Sequence, residues 1–200
     1  QNLSPDSSLL TLACKKGNLE ILQAILKRTS PHPTAIDLYK CLTTAIRYKR
    51  KHIIEFLLED KKIPINPPTI KSASALVSAV ETGDLGLVSM LITKYGADVN
   101  LQEKYSYYGT TPLIAAVKKG DYRLVKFLIQ NGARINLLTI DKDTALVVAC
   151  KCIVCKENSK AQYYKIAKFL LENGADPNIP FDNPPLKVAV KGNDIKLCKL

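Results

Sequence analysis

The sequence predicts an all-α solenoid of about six stacked helix pairs, and three observations carry that prediction. A leucine followed three residues later by an alanine recurs six times, at Leu10/Ala13, Leu42/Ala45, Leu76/Ala79, Leu113/Ala116, Leu146/Ala149 and Leu186/Ala189. The alanines step by 32, 34, 37, 33 and 40 residues, a beat near 33 with insertions, and such a period marks an array of stacked units. Glycines fall where helices must end: between helices in Lys16-Gly17-Asn18, Thr82-Gly83-Asp84 and Lys119-Gly120-Asp121, and after them in Gly96-Ala97-Asp98, Gly132-Ala133-Arg134 and Gly174-Ala175-Asp176.

The units follow in order. The first, residues 6–39, sets Leu10 and Ala13 on one face of a first helix and Ile25 on a second. The second, 40–73, repeats this with Leu42, Ala45 and Leu57, but carries Lys49 where the inter-helix glycine is expected. The third, 74–108, uses Leu76, Ala79 and Leu91; the fourth, 109–141, uses Leu113 and Ala116, then Leu124, Val125, Leu128 and Ile129. In the fifth, 142–180, Ala149 to Leu170 is 21 residues against 12 in each earlier unit, so about nine are inserted within Lys151 to Tyr164. There Lys156-Glu157-Asn158-Ser159-Lys160 reads as solvated loop, and the insertion as a whole reads as a helix extension or loop, with a dedicated contact site as the alternative. The sixth, 181–200, is incomplete, its frame Leu186/Ala189/Leu200 left frayed. One helix pair cannot bury its own apolar face, whereas stacked pairs share a continuous core.

Composition bounds the rest. Of 200 residues 46% are hydrophobic and 24% charged, which excludes disorder and collagen. Apolar runs such as Ala145 to Cys150 fall far short of the roughly 20 residues that span a bilayer. Beginning at Gln1 without an initiator Met and stopping at Leu200 inside an apolar-periodic stretch, the chain reads as a piece of a longer polypeptide. Six scattered cysteines with no basic-then-apolar leader point to free thiols in a reducing compartment, hence a cytoplasmic setting, with a nuclear one or delivery into a host cytosol as variants. Lys plus Arg number 29 against 18 Asp plus Glu, a net charge of +11 that favours acidic partners.

The fourth unit, from Thr111-Pro112-Leu113-Ile114-Ala115-Ala116 through Gly120 and Leu128-Ile129 to Asn131-Gly132-Ala133-Arg134-Ile135-Asn136, resembles an ankyrin repeat, and the resemblance covers nearly the whole chain as one domain. The other units keep Leu and Ala but replace Thr-Pro by Ser8-Leu9, Lys40-Cys41, Ser74-Ala75, Thr144-Ala145 and Pro184-Pro185. The usual His after the Leu is missing from all six, which removes a familiar side-chain link between turns. The resemblance implies short hairpin fingers and a concave groove faced by the two residues that close each first helix. Here those pairs are Lys15/Lys16, Arg47/Tyr48, Glu81/Thr82 and Lys118/Lys119, with Lys151 and Lys191 as the nearest equivalents in the last two units. Five of six units thus place a base there, interrupted at Glu81. Charge is uneven: residues 41–73 carry seven bases and three acids, 74–110 two and four.

The finger segment Gln102 to Gly109 is about three residues longer than its neighbour and concentrates Tyr105, Tyr107 and Tyr108, the residue type that anchors interfaces. Cys150-x-Cys152-x-x-Cys155 invites a zinc reading, but Cys150 falls in register with Cys14, Ile46, Val80, Val117 and Val190, a core position. No metal and no cofactor is expected. No phosphate loop, paired carboxylates or nucleophile with a base recurs at usable spacing, and His32 and His52 lie in different units, so no catalysis is expected. The expectation is a monomeric protein-interaction module, a scaffold, adaptor or targeting arm. It would bind an acidic partner segment through Lys15, Lys16, Arg47, Tyr48, Glu81, Lys118, Lys119 and Lys151 with the tyrosine finger. The rivals are an anion-binding module for nucleic acid or inositol lipid, and the targeting arm of an enzyme whose catalytic domain lies outside this segment. Scarce Arg and the lack of a recognition motif weigh against nucleic acid.

Overall fold

A computed structural model describes residues 5–28, 32–66, 74–102, 109–179 and 184–200. They form helices joined by turns, with no strand among the described residues. The chain divides into two compact units, Gln1–Ala97 and Asp98–Leu200.

In the first unit α1 (Pro5–Lys16) pairs with α2 (Leu19–Arg28), α3 (Ala35–Arg47) with α4 (Lys51–Glu55), and α5 (Ala75–Thr82) with α6 (Leu85–Thr93). α4 runs on into one π-helical turn, Phe56–Asp60. First helices stack on first helices, α1 on α3 and α3 on α5, so the recurring Leu and Ala meet in the core. Leu10, Ala13, Leu42, Ala45, Leu76 and Ala79 are all buried.

The second unit repeats the plan: α7 (Pro112–Lys119) with α8 (Tyr122–Gln130), α9 (Ala145–Cys155) with α10 (Lys160–Glu172), and α11 (Pro185–Lys191) with α12 (Ile195–Cys198). Here α7 and α11 both pack on α9.

Helix ends follow from local chemistry. Thr111 and Thr144 accept hydrogen bonds from the backbone N–H groups of Ile114 and Val147, and Pro112 takes the first helical position of α7, where a missing N–H costs nothing. Asp84, Asp121 and Asp194 cap second helices in the same way. In the third pair Ser74 makes no side-chain cap bond, and the Ala75 N–H donates instead to the buried Tyr39 hydroxyl at 2.9 Å. The inter-helix turns need a left-handed residue: Gly17, Gly83 and Gly120 supply it at φ 84°, 75° and 75°, and Lys49 adopts φ 55° in the second pair despite its Cβ.

A ladder of asparagines does the linking expected of the absent histidines. Asn66 Nδ2 donates to Gly96 O at 2.8 Å, Asn100 Nδ2 to Gly132 O at 3.0 Å and Asn136 Nδ2 to Gly174 O at 3.1 Å. In return Asn100 Oδ1 accepts the Arg134 N–H at 2.7 Å and Asn136 Oδ1 the Asp176 N–H at 3.0 Å. Each two-way latch ties a repeat to the glycine turn of the next one.

One expectation is refined and one changes. The inserted residues of the fifth unit, expected as helix extension or loop, mostly lengthen the two helices, α9 to 11 residues against 8 in α7 and α10 to 13 against 9 in α8. A single 3-10 turn, Glu157–Ser159, joins them. The stretch holds no Gly or Pro, and Lys, Gln and Ala sustain a helix. The register that makes Cys150, Cys14, Ile46, Val80 and Val117 buried breaks at Val190, which is 64% exposed, with Leu186 58% exposed beside it. Only Pro185, Val188, Ala189 and Leu197 of the last pair are buried; among the described first helices α11 packs on α9.

Candidate protein-interaction surface

Of the residues expected to line a groove, those of α1, α3 and α7 sit at the helix C-termini. Lys15 and Lys16 end α1, Arg47 ends α3 and Tyr48 caps it, and all four are exposed. Stacking α1 on α3 brings the Lys15 ammonium 5.1 Å from the centroid of the Tyr48 ring, a cation–π arrangement that leaves Tyr48 43% exposed. Arg50 reaches back across the same turn: its Nε donates to Lys15 O at 3.0 Å, and its aliphatic stem covers Gly17, where a Cβ would lie 2.8 Å from Arg50 Cδ. Next along this unit, the exposed Glu81 is the penultimate residue of α5.

In the second unit Lys118 and Lys119 end α7 and are exposed. Lys151 differs: it is half-buried on α9 and its ammonium lies 2.6 Å from Asp143 Oδ2, a buried residue's carboxylate, so it is a neutralised structural pair more than an open cation. Tyr105, Tyr107 and Tyr108 lie outside the described residues.

Sequence reasoning missed Lys156. Assigned to a loop, it caps α9, its Nζ 3.2 Å from Lys118 O and 2.8 Å from the Tyr163 hydroxyl. Tyr163, 1% exposed, donates to the same Lys118 carbonyl at 3.0 Å, and its ring centroid is 5.1 Å from Nζ. The lengthened fifth pair is therefore pinned to the end of α7. The available signal was length: an insertion that extends two helices carries its own contacts to a neighbour.

Beside that pin lies a cavity of about 330 Å³. Its lining carries Lys118, Lys151 and Lys156, the carboxylates Asp141 and Asp143, and the thiols Cys152 and Cys155. All six cysteines are free thiols. In the core, burial pushes the Cys150 thiol up to about 12, and a hydrogen bond with Cys41, then burial, raises Cys14 further, so neither ionises. Among the described residues no group of three or more His, Cys, Asp or Glu stands close enough to hold a metal ion, and no helix is long and apolar enough to cross a membrane. His52 Nε2 lies 3.4 Å from Gly17 O, in the turn of the first pair.

Each unit by itself offers recognition chemistry: exposed bases at first-helix ends, with the exposed Tyr48 ring in the first and a small cleft in the second. A family model described as ankyrin repeats (3 copies) matches residues 10–103 and 76–181. The ankyrin repeat, SAM and basic leucine zipper domain-containing protein 1 of Carollia perspicillata is 32% identical over 113 residues, 56% of this chain and 22% of that protein. The ankyrin repeat and KH domain-containing protein mask-1 of Caenorhabditis elegans is 30% identical over 150 residues, 70% of this chain and 5% of that protein. An ankyrin repeat protein of Fowlpox virus (strain NVSL) is 31% identical over 120 residues, 58% of this chain and 39% of that protein. The chain thus spans well under half the length of these relatives. Ankyrin repeats are generally protein–protein interaction modules, and their homologues are typically non-enzymatic. With a family match across most of its length and the helix-pair stack built from the same frame, the chain belongs to the ankyrin-repeat family.

Proposed function

We propose that this chain binds an acidic, extended segment of a partner protein through the bases at its first-helix ends, acting as a monomeric cytoplasmic scaffold, adaptor or targeting arm with no catalysis of its own. The observation that carries the reading is the recurrence of exposed bases at one structural position: Lys15, Lys16 and Arg47 in the first unit, Lys118 and Lys119 in the second. Tyr48 supplies an aromatic contact already held in place by Lys15, and Tyr105, Tyr107 and Tyr108 extend it in this reading. Glu81 breaks the row and repels the wrong register. Lys151, tied to Asp143, shapes the cleft more than it attracts charge. Rows of one sign speed encounter and choose among partners, an effect that falls with salt over a Debye length of about 8 Å at physiological strength.

The experiment is partner capture from nuclease-treated lysate at low and high salt. It compares the native chain with a variant carrying Lys15→Glu, Lys16→Glu, Lys118→Glu and Lys119→Glu, its folding checked by circular dichroism. Retention of a protein by the native chain alone, lost in salt, supports the reading. Equal capture by both forms refutes it. Capture from untreated lysate that is absent from the nuclease-treated or a lipid-stripped one favours the anion-binding alternative.

A further inference from the structure

Two thiols occur one helical turn apart at the end of α9, in the segment that the fifth-unit insertion adds, and both face the same cleft. Cys155 is exposed and Cys152 half-buried, whereas Cys14, Cys41 and Cys150 are buried in the core. We propose that Cys155 and Cys152 form a thiol–disulfide exchange site for small anionic disulfides of the glutathione type, Cys155 capturing the ligand and Cys152 resolving it.

The chemistry balances with the disulfide itself as oxidant. The Cys155 thiolate attacks one sulfur of oxidised glutathione, a mixed disulfide forms on Cys155, and one glutathione leaves as thiolate and takes a proton from water. The Cys152 thiolate then attacks Cys155 Sγ, closing a Cys152–Cys155 disulfide and expelling the second glutathione. Two protein thiols are oxidised and one disulfide is reduced to two thiols.

Four observations support the assignment. The cleft, about 330 Å³, falls in the size range of small-molecule sites, and three ammonium groups against two carboxylates leave its lining positive. Cys155 is the thiol an incoming ligand meets first. Cys152 sits beside the Lys156 ammonium and the Tyr163 hydroxyl; burial pushes its thiol up, while the charge of Lys156 pulls the other way. That charge opposes burial at the sulfur that must become the second nucleophile. Finally, residues three apart on a helix hold their Cβ atoms roughly 5–6 Å apart, slightly too far for a disulfide. A 3-10 turn eclipses such a pair, and the Glu157–Ser159 turn directly after α9 is already of that kind. The disulfide then costs a tightening of one turn, which makes it labile and reversible. Lys156 caps that helix end, and its ammonium holds Lys118 O, so the tightening is felt at the end of α7.

The test is incubation of the 200-residue chain with oxidised glutathione, quenching with acid, and non-reducing mass mapping of each cysteine over time. Cys198 is the internal control, because it is also exposed and lies beside Lys196 and Lys199 but is not among the cleft's lining residues. The expected result is an adduct on Cys155 ahead of Cys198, passing to a Cys152–Cys155 disulfide. Cys152→Ser and Cys152→Ala, each checked by melting temperature, should both trap the adduct. Oxidised glutathione should be preferred over neutral bis(2-hydroxyethyl) disulfide at Cys155 by about threefold, and Lys156→Gln should erase that preference. Equal rates at Cys155 and Cys198, an adduct that persists in the native chain as in the Cys152 variants, or no reaction at either site would overturn the proposal.

Discussion

Replacing Gly192 by Ala tests whether the lengthened fifth pair clamps its neighbours. Gly192 sits after α11 at φ −79° and ψ 0°, a conformation any residue adopts, so its backbone does not require glycine. Taken alone, the substitution should stabilise by about 0.4–1 kcal/mol through lost freedom of the unfolded chain. But Val154, in the added turn of α9, lies over it: a Cβ there would fall inside contact distance of Val154 Cγ2 and only 2.9 Å from Cγ1. Valine has little rotamer freedom in a helix, so the methyl cannot simply swing aside. Overpacking of this kind costs about 1–3 kcal/mol, and the net expectation is a loss of about 1 kcal/mol. Thermal unfolding by circular dichroism should show a fall of about 2–4 °C, with faster amide exchange in α11. In a Val154→Ala background the same substitution should turn neutral or stabilising, a coupling read from the double-mutant cycle. A rise in Tm on Gly192→Ala in the native background, or no coupling with Val154, would refute the clamp.

Three further outcomes follow from the same geometry. Lys49→Gly should stabilise by about 0.5–1 kcal/mol in urea unfolding, since the left-handed φ of 55° costs about 1–2 kcal/mol with a Cβ, part of which is offset by glycine's entropy; the ion pair lost with Asp84, 3.7 Å away and half exposed, weighs little. Asn136→Ala removes both bonds of its latch and should cost about 1–2 kcal/mol, with amide exchange rising first in the Gly174 turn. The Tyr164 hydroxyl, then the Leu197 N–H, hold the Asp194 carboxyl below the usual carboxylate range. Its contribution to α12 is therefore complete above about pH 4 and lost as pH falls through the lowered value. Asp194→Asn should flatten that acid limb in exchange of the α12 amides, and an unchanged pH profile would contradict the assignment.

The architecture was legible because it is written in short-range terms. Leu and Ala three apart, a glycine at the turn and Thr-Pro before the helix are local rules, and Leu113, Ala116, Gly120 and Thr111 do in the structure what their spacing implies. Asp98 and Asp176 likewise make local turn bonds, accepting from the Asn100 and Asn178 N–H groups at 2.8 Å each. Less legible was how repeats are joined. The asparagines that replace the missing histidines bond to carbonyls about 30 to 38 residues away, and no local pattern distinguishes them from ordinary turn asparagines.

The candidate surface divides the same way. That Lys15, Lys16, Arg47, Lys118 and Lys119 would end first helices and stay exposed follows from repeat register, a one-dimensional property, and so does the basic composition that steers the function proposed here. Tertiary packing alone decided that Lys151 is neutralised by Asp143, that Lys15 lies over Tyr48, and that Lys156 and Tyr163 converge on one carbonyl of α7 beside two thiols. The physical reason is range: helix formation and capping act within about four residues, whereas charge pairing, ring contacts and cavities depend on which side chains stacking brings within about 5 Å of each other.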